Sequence, residues 1–293
     1  MTIQRIMVAT DLSSRAALAA DRATQLAIQH GAGLTVLHVV NATLPDPELL
    51  QILELAEVPV LDNLLARSRQ TLERDIVAPA LMAGAIAQAH VVAGRGVPEI
   101  IDLARRGDAD LLVLGAHGEH FVRDRLVSTT TERVVRHGDR PILVVKRPML
   151  APYRHILVPV DFSDSSLAAA ALAGTLAPQA RISLLHAIDN AEIERMRSAG
   201  LDEKRLDRFY NEQRQRLQRE MGTLVARLAY GPAETRLVPG YASDVIEAYA
   251  RQEGIDLIVM GTEGKGRLQR MLLGSVATHV LHESLCDLLL VRS

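Results

Sequence analysis

Short apolar runs alternate with longer segments of helical periodicity along the chain. In the second half the apolar runs lie at residues 155–160, 180–188, 235–238, 257–260 and 287–291. They are nearly continuous, which is typical of strands covered by helices on both faces. Residues 165–176 and 202–228 predict long helices between them, the second with an apolar stripe formed by Leu206, Phe209, Leu217, Leu224 and Leu228. The pattern predicts an α/β fold with a parallel sheet.

The chain also repeats itself. Residues 6–13 read IMVATDLS and residues 156–163 read ILVPVDFS, while DLLVLGAHG from Asp110 matches DLIVMGTEG from Asp256. A chain of 293 residues has room for two domains of about 150 residues each. We therefore predict two tandem copies of one doubly wound domain, residues 1–148 and 149–293.

Composition narrows the classes of function. The net charge of −2 gives no overall attraction to nucleic acid or anionic lipid, and an aromatic content of 3% leaves few side chains for base stacking. There is neither a signal-peptide pattern nor an apolar stretch near the ~18 residues that cross a bilayer. We expect a cytoplasmic protein that binds neither nucleic acid nor membrane, with the single cysteine, Cys286, as a small buried side chain.

A glycine-rich turn follows the predicted fourth strand of the second half. Its spacing, Gly261-x2-Gly264-x9-Gly274-Ser275, is neither the Rossmann nor the Walker A pattern. Ligands of doubly wound sheets bind beyond the carboxyl ends of the strands, where the winding reverses. Glycine lets backbone N–H groups approach phosphate oxygens, and a helix that begins after Gly274 would offer further donors. The turn therefore predicts a phosphate-binding site.

Together with the aspartate after strand one, the Leu-His pair of strand two and the terminal apolar strand, this spacing resembles the universal stress protein family over almost the whole chain. The resemblance implies a five-stranded parallel sheet in the order 3-2-1-4-5 in each domain, ATP binding by members with the full motif, and dimers formed by pairing of the last strands. In the second half it assigns nucleotide contacts to Pro159, Asp161, Ala187, Met260, Gly261, Gly264, Gly274, Ser275 and Val276. In the first half it assigns weaker contacts to Asp11, Val39, Leu114, Gly115, Gly118, Ser128, Thr129 and Thr130.

The first half departs from the family pattern. Ser128 stands where the second half has Gly274, and Ala9 stands where it has Pro159. If the third glycine is needed for close approach of a phosphate, the Cβ of Ser128 would crowd the γ-phosphate. We therefore expect the main ATP site in the second half.

Several side chains near these turns have a structural alternative. Asp11 and Asp161 precede helix starts and could serve only as helix caps. His38 and His186 lie within apolar runs, and we expect core histidines to which we assign no chemistry.

Charged residues beside the glycine turns leave two interpretations open. A carboxylate at Glu119 or Glu263 repels phosphate unless a cation lies between them, so each either contacts a magnesium ion or points to water. The basic residues of the second turn either attract phosphate or form a solvated face: Lys265, Arg267 and Arg270. His117 and His120 alone are weak evidence for a metal, and we assign no metal site.

Three functions of different classes fit this sequence. The first is an ATP-binding stress-response module whose nucleotide changes its conformation or partner surface. The second is a slow ATPase or self-phosphorylating enzyme, in which Ser275 or Thr129 could accept phosphate although no general base is evident. The third is a nucleotide-free dimeric scaffold. We expect the first, as a homodimer or an intramolecular pseudo-dimer formed through the last strands.

Overall fold

In the computed structural model, five parallel strands form the sheet of the first domain, in the spatial order β3-β2-β1-β4-β5. The structure describes residues 2–14, 16–41, 60–116, 129–189, 191–228, 233–263 and 273–292. The strands of the first domain are β1 Arg5–Thr10, β2 Gly33–Asn41, β3 Ile86–Gly94, β4 Leu111–Gly115 and β5 Ile142–Val145. Its helices are α1 Ala17–His30, α2 Val60–Leu72, α3 Ala78–Met82, α4 Gly96–Arg106 and α5 Thr129–His137, with a π-helical turn, Glu73–Val77, between α2 and α3.

The second domain has the same winding, in the order β8-β7-β6-β9-β10. Its strands are β6 His155–Pro159, β7 Arg181–Ile188, β8 Glu234–Pro239, β9 Leu257–Gly261 and β10 Asp287–Val291. Its helices are α6 Asp164–Leu176, α7 Ala191–Ser198, α8 Glu203–Arg227, α9 Ala242–Gln252 and α10 Ser275–Glu283. The compact units are Thr2–Leu150 and Ala151–Ser293. The predicted doubly wound fold and the strand order 3-2-1-4-5 are confirmed.

The aspartate that begins the repeated strand-four sequence supports the sheet. In the first domain, Asp110 Oδ2 accepts hydrogen bonds from the backbone N–H groups of Gln4 and Arg5, at 2.8 and 2.9 Å. In the second domain, Asp256 Oδ2 accepts the same two bonds at the start of β6, at 2.9 and 3.0 Å. These bonds satisfy N–H groups where the strand pairing begins. The duplicated aspartate therefore aligns the first strand with the fourth, and with it the turns that follow both.

In the second domain, burial of the strands follows their apolar character except at β8. Every residue from 257 to 260 and from 287 to 291 is at most 5% exposed. The expectation of burial on both faces is wrong for β8, where Thr235 and Arg236 are exposed. The reason is position, because β8 lies at the edge of its sheet.

The apolar stripe predicted for α8 is buried at only three of its five positions. Of the predicted residues, Leu206, Leu217 and Leu224 are buried, whereas Phe209 and Leu228 are only half-buried. Met221, which the prediction leaves out, is 2% exposed. It lies four residues after Leu217 and three before Leu224, so it faces the sheet with them.

A small polar network is enclosed between β6, β7 and α9. Ser183 is fully buried, with its Oγ 3.0 Å from Nε2 of His155 and 3.4 Å from the hydroxyl of Tyr249. The imidazole Nδ1 lies 3.2 Å from the backbone oxygen of Glu253, which can only accept, so Nδ1 carries the proton. The serine hydroxyl then donates to Nε2 and accepts from the tyrosine.

Two further expectations concern Cys286 and the membrane. Cys286 is buried, and its thiol lies 3.2 Å from the backbone oxygen of Ile255. Among the residues that the structure describes, no helix has the length and apolarity to cross a bilayer.

Candidate functional site

A cavity of about 200 Å³ lies at the carboxyl ends of β6 and β9, where the winding of the second domain reverses. Parallel strands end at the same edge of the sheet, so the turns that follow them meet there. Eight of the predicted contacts line this cavity: Pro159, Asp161, Ala187, Met260, Gly261, Gly274, Ser275 and Val276. Gly264 and the basic residues of the second turn lie outside the described residues: Lys265, Arg267 and Arg270.

Asp161 fixes the turn that follows β6. Its Oδ1 accepts a hydrogen bond from the N–H of Ser163 at 3.0 Å and another from the Ser163 hydroxyl. The Ser163 Oγ also accepts from the N–H of Ser166 at 3.3 Å and caps α6. The helix cap is therefore the serine, and the half-buried aspartate shapes the turn at the cavity wall.

The turn of the first domain is built in the same way. Asp11 Oδ1 accepts from the N–H of Ser13 at 3.1 Å, and Ser13 Oγ accepts from the N–H of Ala16 at 3.2 Å. Between aspartate and serine, Leu12 has φ 65° and Phe162 in the second domain has φ 61°. This left-handed region costs a residue with a Cβ about 1–2 kcal/mol. Both domains therefore hold a bulky residue in an unfavourable conformation beside the cavity.

The strand-two histidines reach the cavities, although they were predicted in the core. His186 is half-buried and lines the second-domain cavity, with Nδ1 2.7 Å from the backbone oxygen of Val160. Its ring packs on Phe162 with centroids 4.8 Å apart. His38 makes the corresponding contact with Thr10 O at 2.9 Å. The histidines therefore tie strand two to the end of strand one.

Packing, and not only a ligand, favours glycine at positions 261 and 274. A Cβ on Gly261 would lie 2.5 Å from the Oγ of Ser165 and 2.9 Å from its carbonyl carbon, so α6 packs on β9 only because this position has no side chain. A Cβ on Gly274 would lie 3.3 Å from the backbone oxygen of Thr262, which accepts the Gly274 N–H at 2.8 Å. The third glycine therefore brings the start of α10 close to the end of β9.

The start of α10 presents backbone donors to the cavity. Gly274 is the N-cap residue and has no side chain to cap the helix, and the first turn carries no acidic residue. The first N–H groups of a helix have no partner within it, and they favour anions. Among the described lining residues the charged ones are Asp161 and Glu263, both half-buried, with no lysine or arginine. Within this described lining, an anion would meet N–H groups rather than cationic side chains.

Other lining residues were not predicted as contacts. Among them are residues of β7 and α9 and the two residues that follow β9: His186, Ala242, Ile246, Thr262 and Glu263. Ala242 begins α9, which follows β8. The signal that could have found it is topological, since the helix after strand three also begins at this edge of the sheet.

The first domain has a larger cavity at the carboxyl ends of β1 and β4, of about 680 Å³. Five of its predicted contacts line it: Asp11, Val39, Leu114, Gly115 and Thr130. Thr129 begins α5, whereas the remaining predicted residues lie outside the described part of the chain: His117, Gly118, Glu119, His120 and Ser128. Arg95 and Arg133 also line this cavity and were not predicted.

Comparison with known proteins agrees with this architecture. A universal stress protein of Methanocaldococcus jannaschii is 31% identical over 160 residues, which cover 49% of this chain and 98% of that protein. One from Mycobacterium bovis is 25% identical over 306 residues, covering 98% of this chain and 94% of its own. The crystal structure of a universal stress protein from Archaeoglobus fulgidus shares the fold with a TM-score of 0.65 at 19% identity, covering 98% of each chain. The model of the universal stress protein family matches residues 2–146 and again 152–292. The chain therefore belongs to the universal stress protein family and carries two of its domains in tandem.

Proposed function

We propose that this protein binds adenine nucleotides, with ATP in the second-domain cavity as its main ligand, and that it acts as a regulatory binding module in the stress response. One observation carries the proposal. Eight positions assigned to the nucleotide lie on four separate segments of the chain, and all of them line one cavity at the switch point of the sheet. Switch points are where open α/β sheets bind their ligands.

The chemistry of the lining suits the parts of a nucleotide. Pro159, Ala187 and Met260 offer apolar surface to a purine ring, and the Asp161 carboxylate accepts hydrogen bonds from hydroxyl or amino groups of the adenosine. The uncapped N–H groups that follow Gly274 receive the phosphates. Each of these features faces the same cavity, so one ligand with an apolar base and an anionic tail satisfies them together.

The residues of this site fit a magnesium ion bound together with the phosphates. Mg²⁺ is usually held by one or two carboxylates plus substrate phosphates, and Glu263 is a half-buried carboxylate in the lining. Within the described residues no group of three His, Cys, Asp or Glu forms a dedicated metal cage. Glu263 would hold the ion, which would offset the repulsion between its carboxylate and the phosphates.

The nucleotide would act by binding one conformation of the protein more tightly than another. The cavity joins the starts of α9 and α10 to the ends of β6 and β9, so a bound nucleotide biases how these elements sit together. Pairing of the last strands, within one chain or between two, stays a prediction.

The test is photolabelling of the full chain with 8-azido-ATP, followed by mass spectrometry of the labelled peptides. We expect label in second-domain peptides that competes with ATP, and its reduction by about tenfold or more in Gly274→Val, because the new side chain crowds the phosphate donors. Gly222→Val is the matched control, since a Cβ on this glycine of α8 meets no heavy atom within 4 Å.

Thermal unfolding of both variants without nucleotide shows whether each is folded. Label that Gly274→Val leaves unchanged, or its absence from the second domain of the wild type, would overturn the proposal. Mass spectrometry of ligand released from the denatured protein separates the other functions. Released ATP agrees with a binding module, ADP or phosphorylated protein indicates an enzyme, and no nucleotide indicates a scaffold.

A further inference from the structure

Two arginines line the cavity of the first domain. Arg95 is the N-cap residue of α4, and Arg133 lies in the second turn of α5. Both side chains are exposed at the cavity, and neither has an ion-pair or hydrogen-bond partner among the residues that the structure describes. Two guanidinium groups on the lining of one cavity, with a single carboxylate beside them, favour an anion there.

The described linings of the two cavities therefore differ in charge. The described lining of the first-domain cavity holds Arg95 and Arg133 against one carboxylate, that of Asp11. The described lining of the second-domain cavity holds the carboxylates of Asp161 and Glu263 and no cationic group. Counted over Asp, Glu, Lys and Arg, the described first lining is net positive and the described second lining is net negative.

The arginine pair is specific to the first half of the duplication. In the repeat alignment, Arg95 corresponds to Tyr241 and Arg133 corresponds to His279. Both of these residues are exposed, and neither belongs to the described lining of the second-domain cavity. The first half, which lacks the third glycine of the motif, carries arginine at two positions where the second half has tyrosine and histidine.

We propose that the first-domain cavity is a separate anion site, in which Arg95 and Arg133 bind a polyphosphate group without a divalent cation. Guanidinium groups bind phosphate oxygens through charge-assisted, often bidentate hydrogen bonds. The starts of α4 and α5 border the same cavity and add N–H donors. The polyphosphate group comes either from a nucleotide or from free inorganic polyphosphate, and the proposal does not depend on recognition of adenosine.

Isothermal titration calorimetry of the full chain with inorganic tripolyphosphate in EDTA tests this site. We expect the wild type to bind and each single variant, Arg95→Gln or Arg133→Gln, to lose about tenfold in affinity. In the Gly274→Val background, which weakens phosphate binding in the second domain, the double variant should show no measurable binding. Arg67→Gln with Arg69→Gln is the charge-matched control, because both arginines are exposed on α2 of the same domain and lie outside the described lining.

Three results would overturn the proposal: no binding by the wild type, full binding by the double variant, or an equal loss in the α2 control. Tyr241→Gln with His279→Gln should leave tripolyphosphate binding unchanged, since these are the corresponding positions of the second domain. Thermal unfolding confirms that each variant is folded, which the exposure of Arg95 and Arg133 favours.

A second titration with ATP in EDTA, in the Gly274→Val background, identifies the source of the polyphosphate. Arginine-dependent binding of ATP that is tighter than that of tripolyphosphate indicates a nucleotide, and equal or weaker binding indicates free polyphosphate. The arginine variants leave the second-domain site unaltered, and the Gly274→Val background weakens phosphate binding there. If ATP labelling of the second domain fails, the arginine-dependent binding of tripolyphosphate still stands. If tripolyphosphate does not bind, the labelling result still stands.

Discussion

Gly261 lines the candidate site of the second domain and also packs against Ser165 of α6. The substitution Gly261→Ala tests whether the glycine is needed for this packing or only for binding phosphate. The added Cβ would lie 2.5 Å from the Oγ, 2.8 Å from the Cβ and 2.9 Å from the carbonyl carbon of Ser165. Turning the Ser165 side chain removes only the first of these contacts. Ser165 is 2% exposed and donates to the backbone oxygen of Glu263 at 2.6 Å, so α6 has to move away from β9.

The cost follows from these contacts. Overpacking a close-packed interior costs about 1–3 kcal/mol, and we expect the upper end because two of the three contacts involve atoms that cannot rotate away. Loss of the hydrogen bond from Ser165 adds about 1 kcal/mol. The free energy of unfolding should fall by about 3–4 kcal/mol, which lowers the Tm of a domain of this size by roughly 10 °C.

Circular dichroism during heating and in urea, without nucleotide, measures both quantities. Gly222→Ala is the control, because its Cβ meets no heavy atom within 4 Å and alanine is favoured over glycine in a helix interior by about 0.5–1 kcal/mol. The control should be at least as stable as the wild type. The packing argument is refuted if Gly261→Ala keeps wild-type stability and loses only ATP affinity, since the glycine would then serve the phosphates alone.

Two further substitutions test interactions away from the cavities. Ser183→Ala should lower the free energy of unfolding in urea by about 1–3 kcal/mol, because His155 and the neighbouring tyrosine lose a buried partner; unchanged stability would contradict the hydrogen-bond assignment. The guanidinium of Arg5, and then that of Arg140, hold the pKa of Asp108 below its ordinary value. Its carboxylate therefore stabilises the fold at neutral pH, and this contribution falls away as the pH drops below about 4 towards the lowered pKa. Asp108→Asn should be less stable than wild type in urea at pH 7, with a difference that closes in acid, and a difference independent of pH would contradict the ion pairs.

Periodicity was sufficient to place the strands and long helices of the second domain. Residues 288–291 are apolar at every position, and the strand found at Asp287–Val291 is buried throughout. The same criterion could not foresee that β8 lies at a sheet edge, because its neighbours are set by topology rather than by its own residues. It also could not tell that α8 turns Met221 rather than Phe209 fully towards the sheet, since packing decides the last few degrees of helix rotation.

For the candidate site, too, the sequence predicts some of the residues that line the cavities and misses others. Asp161 and Gly274 were found from the sequence because they directly follow a strand or begin a helix at the switch point. His186, Arg95 and Arg133 were missed because they reach the cavities from strand two, from the helix after strand three and from the body of a helix. Neither their spacing nor their type distinguishes them from ordinary core or surface residues before the chain is folded.

The left-handed turn beside each cavity has a consequence for how the two halves have diverged. Leu12 and Phe162 differ in shape, yet they have φ values of 65° and 61° where glycine would be free of strain. What the two copies share at this point is a backbone conformation, held by a hydrogen bond from the serine N–H to the aspartate carboxylate. Side chains in the two halves could therefore change around a fixed turn, and ligand preference could diverge while the place of binding stayed the same.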